Sequence, residues 1–201
     1  MCGRYWLKGS PELDPIIEEM NQSPLIKRWQ LEGDITTAGE VRPSAVVPVI
    51  APDKAGARAV FPMKWGFTAR SLLINARIET ASEKPTFAES WKRRRCIIPA
   101  SWYFEWEHLT DAAGRKKTGS KYAIRPGEEK ITWLCGLYRI ENGYPVFVVL
   151  TREPGESVRF IHDRMPLILP EHLVSEWIRP GTQPEKLLPE ALTDMTWEKA
   201  D

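Results

Sequence analysis

Cys2 directly follows the initiator methionine. Initiator methionine is generally removed when the second residue is small, so a mature chain would begin with cysteine. That places an α-amine (reference pKa about 7.7–8.0) and a thiol (about 8.5) on one carbon. Such a 1,2-aminothiol condenses with an aldehyde. The amine forms a Schiff base, the thiol closes onto it, and a five-membered thiazolidine results. An N-terminal cysteine can equally act as a nucleophile in amide hydrolysis, its own amine serving as base. It can also be no more than the residue that follows the start.

Four further segments carry candidate chemistry. Leu72-Leu73-Ile74 runs into Asn75-Ala76-Arg77-Ile78-Glu79-Thr80. On an extended strand Asn75, Arg77 and Glu79 share one face. Asn holds an amine or a carbonyl, and Arg holds phosphate through two parallel hydrogen bonds. The alternative is a solvated strand face with an Arg–Glu pair. In Ser101-Trp102-Tyr103-Phe104-Glu105-Trp106 one carboxylate sits among four aromatics. Aromatic neighbours desolvate a carboxyl, raise its pKa and suit it to proton transfer. The other reading turns Glu105 outward. His162, in Phe160-Ile161-His162-Asp163-Arg164-Met165-Pro166, is a proton shuttle or a histidine satisfying a local carbonyl. The basic run Lys92-Arg93-Arg94-Arg95 is a solvated face or part of a phosphate-tracking groove. A papain-like Cys–His–Asn site would need the nucleophile at a helix N-terminus, and the sequence around Cys2 offers none.

These groups lie on separate segments, so the fold must bring them together. The chain has 201 residues, 42% hydrophobic and 27% charged, which suits one globular domain. Nine Trp and 17 Pro point to many short elements and a β-rich fold. The pattern predicts a helix over 11–20, with Ser10 as N-cap and Pro11 at its first position. Val46–Ile50 reads as a strand that Pro48 demotes to an edge or a bulge. Further strands are expected over 59–61, 96–98, 101–106, 122–124, 131–140 and 146–151, with turns at Pro126-Gly127 and Asn142-Gly143. Short helices are expected over 89–94 and 171–178. Strands separated by turns rather than regular helices disfavour a doubly wound sheet. The expectation is one α+β domain on a mainly antiparallel, barrel-like sheet with short flanking helices.

Net charge is +1, from 28 basic and 27 acidic residues, so nucleic-acid binding would need a local basic surface. Three cysteines without metal-ligand spacing read as reduced thiols of a cytoplasmic protein, Cys96 and Cys135 buried in apolar strands. No apolar run is long enough for a membrane span, and no cofactor or metal is expected.

Seven pieces now stand in one order. They are Met1-Cys2-Gly3-Arg4-Tyr5, Val41-Arg42-Pro43, Lys64-Trp65-Gly66-Phe67, Ile74 to Thr80, Arg95 to Ala100, Trp102 to Trp106, and His162 to Pro166. In this order the chain resembles the SRAP family, the SOS-response-associated peptidases or abasic-site processing proteins. The resemblance covers about 2–178 of a single domain, with a short tail after Pro180. It implies a sensor of abasic sites in single-stranded DNA, at replication forks and junctions with duplex. Cys2 would form a thiazolidine crosslink with the abasic-site aldehyde and shield the lesion. Asn75 would position the N-terminus and the sugar, Glu105 would transfer protons, and His162 would hold the sugar or phosphate end. Arg4, Pro43, Trp65, Arg77 and Arg164 would contact DNA, Trp65 by stacking on a base. The resemblance also implies lyase-type chemistry, self-cleavage of Met1, and nucleoid association when bound to DNA. A monomer is expected. Many relatives carry Asn-x-Ala-Pro where this chain has Glu40-Val41-Arg42-Pro43, so a DNA contact at Glu40 is lost and Arg42 would replace it. The competing reading is a cysteine peptidase or amidohydrolase using Cys2.

Overall fold

The computed structural model describes residues 2–31, 33–111, 113–127 and 129–200. Among them are strands β1 (Arg4–Leu7), β2 (Gly39–Val41), β3 (Val46–Pro52), β4 (Arg58–Trp65), β5 (Asn75–Arg77) and β6 (Arg95–Ala100). The later strands are β7 (Trp102–Thr110), β8 (Lys116–Pro126), β9 (Thr132–Glu141), β10 (Tyr144–Arg152), β11 (Met165–Pro166) and β12 (Met195–Ala200). The helices are short: α1 (Asp14–Asn21), α2 (Ile26–Gln30), α3 (Ile78–Ala81), α4 (Pro85–Arg93) and α5 (Val174–Ile178). None is long and apolar enough to cross a membrane.

Five strands close into a barrel. β3 pairs with β4 and β6, β6 with β9, and β9 with β10, all antiparallel, while β10 returns to β4 in parallel. β5 and β11 extend β10 beyond these pairings. A second sheet, wholly antiparallel, runs β12-β8-β7-β1-β2. The domain is thus α+β on a mainly antiparallel barrel, as its short apolar runs predict. Barrel strands are buried along most of their length, so they read as continuous apolar segments such as Cys96-Ile97-Ile98. At Gly136 in β9 a Cβ would stand 2.6 Å from Ile98 Cδ1 and 2.8 Å from the Val148 carbonyl. Only glycine lets β6 and β10 approach there. Asn142 (φ 49°) and Gly143 (φ 81°) turn β9 into β10 as a two-residue hairpin that needs left-handed backbone at both positions.

Three local expectations are corrected. Pro48 does not sit at an edge: β3 lies inside the closed ring and Pro48 faces Pro62. Two opposed prolines form a non-hydrogen-bonded pair, and the donor Pro48 lacks would point toward β6, which pairs with β3 only at Ile50↔Ile97. The first helix starts at Asp14 rather than Pro11, because the Ser10 side chain and carbonyl take the Leu13 N–H in a preceding turn. The extended run from Asn75 ends at Arg77, and Glu79 lies on α3, off the strand face it was expected to share.

Candidate active site

Two sheets deliver the site residues. Cys2 leads into β1 of the second sheet and is fully buried. β1 pairs with β7, where Tyr5 opposes Tyr103, so the face carrying Tyr103 also carries Glu105. Asn75 opens β5, held on the barrel by pairing with Val149 of β10. Its Nδ2 donates to the Cys2 carbonyl at 2.9 Å, and its Oδ1 is buried without a hydrogen-bond partner among the described residues. His162 follows the turn after β10, with its Nε2 4.0 Å from Glu105 Oε2. Cys2, Asn75, Glu105 and His162 therefore meet where the barrel abuts the second sheet.

Burial sets the electrostatics. It pushes the Cys2 thiol far above its ordinary range, and the nearby Glu105 charge adds to the effect. It raises the Glu105 carboxyl to about 7, where acid and base forms coexist near neutral pH. It lowers His162 to about 4, so the ring is neutral at pH 7, although Asp163 favours the charged form. Two groups address His162 Nδ1. The Arg164 backbone N–H donates to it at 3.0 Å, and Asp163 Oδ1 stands 2.7 Å away. Accepting from Arg164 leaves the ring proton on Nε2, the nitrogen that faces Glu105.

The sequence reading missed two tyrosines. The hydroxyls of Tyr5 and Tyr103 are buried without a hydrogen-bond partner among the described residues. Burial, then proximity to Cys2, raises both phenols. With Asn75 Oδ1 they add buried polar atoms to the surroundings of Cys2. Alternation with Glu105 signals Tyr103 in the sequence, whereas Tyr5 is recognisable only through the β1–β7 pairing.

The expected DNA contacts divide. Arg77 is exposed and makes no ion pair among the described residues. Arg4 is tied to Glu40 at 2.6 Å and lies over the Trp106 ring. Glu40 also takes Arg42 at 2.9 Å and Lys121 at 3.0 Å. Burial works to raise the Glu40 carboxyl, but these hydrogen bonds outweigh it and hold it at about 2. Pro43 sits in a turn closed by the Ala45 N–H on the Arg42 carbonyl, with Ser44 at φ 74°.

Two of these assignments are corrected by burial. Trp65 is fully buried, packs on Tyr5 and Phe147, and donates from Nε1 to the Ile74 carbonyl, so it cannot stack on a base. Its role is to brace the segment that carries Asn75. Arg164 makes a two-pronged bond to Glu79 (2.8 and 2.9 Å) and a third to the Thr151 carbonyl (2.7 Å). It clamps α3 to the His162 segment rather than facing a phosphate. Arg95 likewise leaves the basic run: buried, it donates to the carbonyls of Trp91, Lys92, Trp177 and Arg179 and ties α4 to α5.

Fold and site together define a barrel protein built around a cysteine next to its N-terminus. The chain belongs to the SRAP family, described as SOS response associated peptidase, which it matches over residues 1–200. It is 34% identical to the abasic site processing protein YoqW of Bacillus subtilis, over 93% of this chain and 84% of that protein. It is 31% identical to the abasic site processing protein YedK of Escherichia coli, over 59% of this chain and 54% of that one. A crystal structure of a protein from Bacteroides thetaiotaomicron has the same fold. It superposes with a TM-score of 0.75 at 22% identity, covering 100% of this chain and 92% of that one. Family membership supports a DNA-processing activity.

Proposed function

We propose that this protein captures abasic sites in single-stranded DNA as a covalent adduct of Cys2. One observation carries the reading. Asn75 grips the Cys2 carbonyl at 2.9 Å beside a carboxyl, Glu105, that titrates at about 7. An aldehyde-reactive residue is thus held next to a proton donor matched to neutral pH. The names of the relatives supply the substrate class.

The chemistry begins once Met1 is removed, by self-cleavage or by an aminopeptidase. Glu105 in its acid form protonates the ring oxygen of the abasic deoxyribose, and the C1′ hydroxyl proton returns to it as the ring opens. The Cys2 amine attacks the C1′ aldehyde, and the carbinolamine loses water to give an imine. The thiol then adds to the imine carbon and its proton ends on nitrogen. The product is a thiazolidine, with one water released. Asn75 positions the amine and the sugar. Neutral His162 donates from Nε2 to the sugar or phosphate end and exchanges protons with Glu105.

Single strands are preferred because a duplex buries the sugar and blocks the approach of Cys2. Arg77, together with Arg4 once it leaves Glu40, holds the flanking phosphates. The adduct shields the lesion at forks and at junctions with duplex, and the protein acts as a monomer.

The test is a denaturing gel of protein with a mass-verified Cys2 N-terminus and single-stranded DNA carrying one abasic site. A shifted band that vanishes in Cys2→Ala is expected. No band from the verified protein would overturn the reading in favour of a peptidase or amidohydrolase using Cys2.

A further inference from the structure

On its Nδ1 side His162 meets His108 and Asp163, two residues that the abasic-site chemistry does not use. His108, His162 and Asp163 each offer one ligand atom, and the three atoms lie within 4.8 Å of one another. The closest pair is His162 Nδ1 and Asp163 Oδ1 at 2.7 Å. The rings of His108 and His162 are 3.8 Å apart between centroids.

The backbone builds this cluster. The register of β7 against β8 shifts between Trp106 and His108. A bulge of this kind re-aims the side chain that follows it. The His108 N–H then donates to the Ile161 carbonyl at 2.9 Å, which fastens β7 to the turn bearing His162 and Asp163. The cluster opens on a cleft of about 460 Å³ walled by Glu153, Pro154, Arg159 and Phe160.

We infer that His108, His162 and Asp163 form a binding site for a divalent transition-metal ion such as Zn2+. Two imidazoles and a carboxylate are the donor types that such ions select. Zinc bonds of about 2.0–2.2 Å put tetrahedral ligand atoms roughly 3.3 Å apart. The ligand atoms lie within 4.8 Å of one another, so the widest pair closes by at most about 1.5 Å and the 2.7 Å His162–Asp163 pair opens slightly, movements that the exposed His108 and Asp163 side chains allow. The fourth position opens on the cleft and takes water. Binding on Nδ1 takes the lone pair that now accepts the Arg164 N–H at 3.0 Å, so the ion displaces that hydrogen bond and keeps the His162 proton on Nε2, 4.0 Å from the Glu105 carboxylate. His108 and His162 are far apart in sequence, so no ligand spacing announces the site, and the expectation of no metal is revised on geometry.

The test reads binding directly and does not depend on the abasic-site chemistry. Cys2→Ala protein is used, so that the N-terminal thiol contributes no ligand. Co2+ is titrated in as a spectroscopic probe and competed with Zn2+. A saturable visible band at one ion per chain is expected. His108→Ala and Asp163→Asn, both exposed positions, should weaken it at least about tenfold while circular dichroism stays unchanged. Nitrogen NMR of the imidazoles should place Zn2+-induced shifts on His108 and His162, with His172 unmoved. Absence of a saturable band, full affinity in His108→Ala, or shifts confined to His172 would each overturn the site.

Discussion

Asn75 and Cys2 lie 73 positions apart and are joined by one hydrogen bond, Nδ2 to carbonyl oxygen at 2.9 Å. It links the barrel, which holds Asn75, to the residue that leads into β1, alongside the packing of Trp65 on Tyr5. Removing it frees the N-terminal residue to rotate away from Glu105. Reactions that depend on such positioning lose roughly 100-fold for misplacement of about 1 Å. Asn75→Ala should therefore slow single-turnover crosslinking by about that factor. Unchanged rates would separate Asn75 from the chemistry.

Glu105 makes a paired prediction in pH. Its carboxyl rises from the ordinary 4.5 to about 7 on burial. A carboxyl raised in the folded state contributes stability below its unfolded pKa and loses it as pH climbs through the folded value. Glu105→Gln does not titrate, so its stability relative to the parent should improve between about pH 4.5 and 7 and then level off. The full change is on the order of 3 kcal/mol, readable by urea unfolding across that range. Crosslinking by the parent should fall above about pH 7 as the acid form is lost, and Glu105→Gln should be slow throughout. Equal stability profiles for the two proteins would mean the carboxyl is not desolvated as described.

Much of this arrangement is legible in the sequence, and the limits have physical causes. The buried runs 96–98 and 146–151 and the Asn142-Gly143 hairpin are read from local pattern, whereas Cys2, Asn75, Glu105 and His162 stand out locally only as separate candidates. Barrel closure is not, because the parallel β4–β10 pairing joins Lys64 to Val146 through no local signal. The segment after Pro180 looks like a bare tail, yet β12 completes the second sheet against β8. Arginines mislead most. Arg77, Arg95 and Arg164 look alike in sequence, and only tertiary partners separate an exposed cation from two buried clamps.

Glu40 holds three cations, Arg4, Arg42 and Lys121, that a phosphate would otherwise find. Its carboxyl, held at about 2, stays ionised at every working pH, so under the proposed function it would compete with DNA phosphates for these cations. Glu40→Gln should tighten binding to undamaged single-stranded DNA several-fold at low salt. Each phosphate gained should steepen the dependence of log K on log salt by about 0.7. Fluorescence anisotropy across a salt series reads both quantities. A flat response would mean that the three cations do not face the strand.

Arg77 and Arg164 give the sharpest contrast. Arg77 is exposed, whereas the Arg164 side chain is only 10% exposed and its Nη1 and Nη2 donate to Glu79 and Thr151. Arg77→Ala should reduce the salt slope by about 0.7 and leave thermal stability unchanged. Arg164→Ala should leave the salt slope alone and cost on the order of 2 kcal/mol, since it strips charged hydrogen bonds from Glu79 and a buried carbonyl. Arg164→Lys should recover little, because one ammonium cannot span both Glu79 oxygens and the Thr151 carbonyl. If Arg164→Ala instead flattened the salt slope at full stability, the clamp would have to open onto DNA.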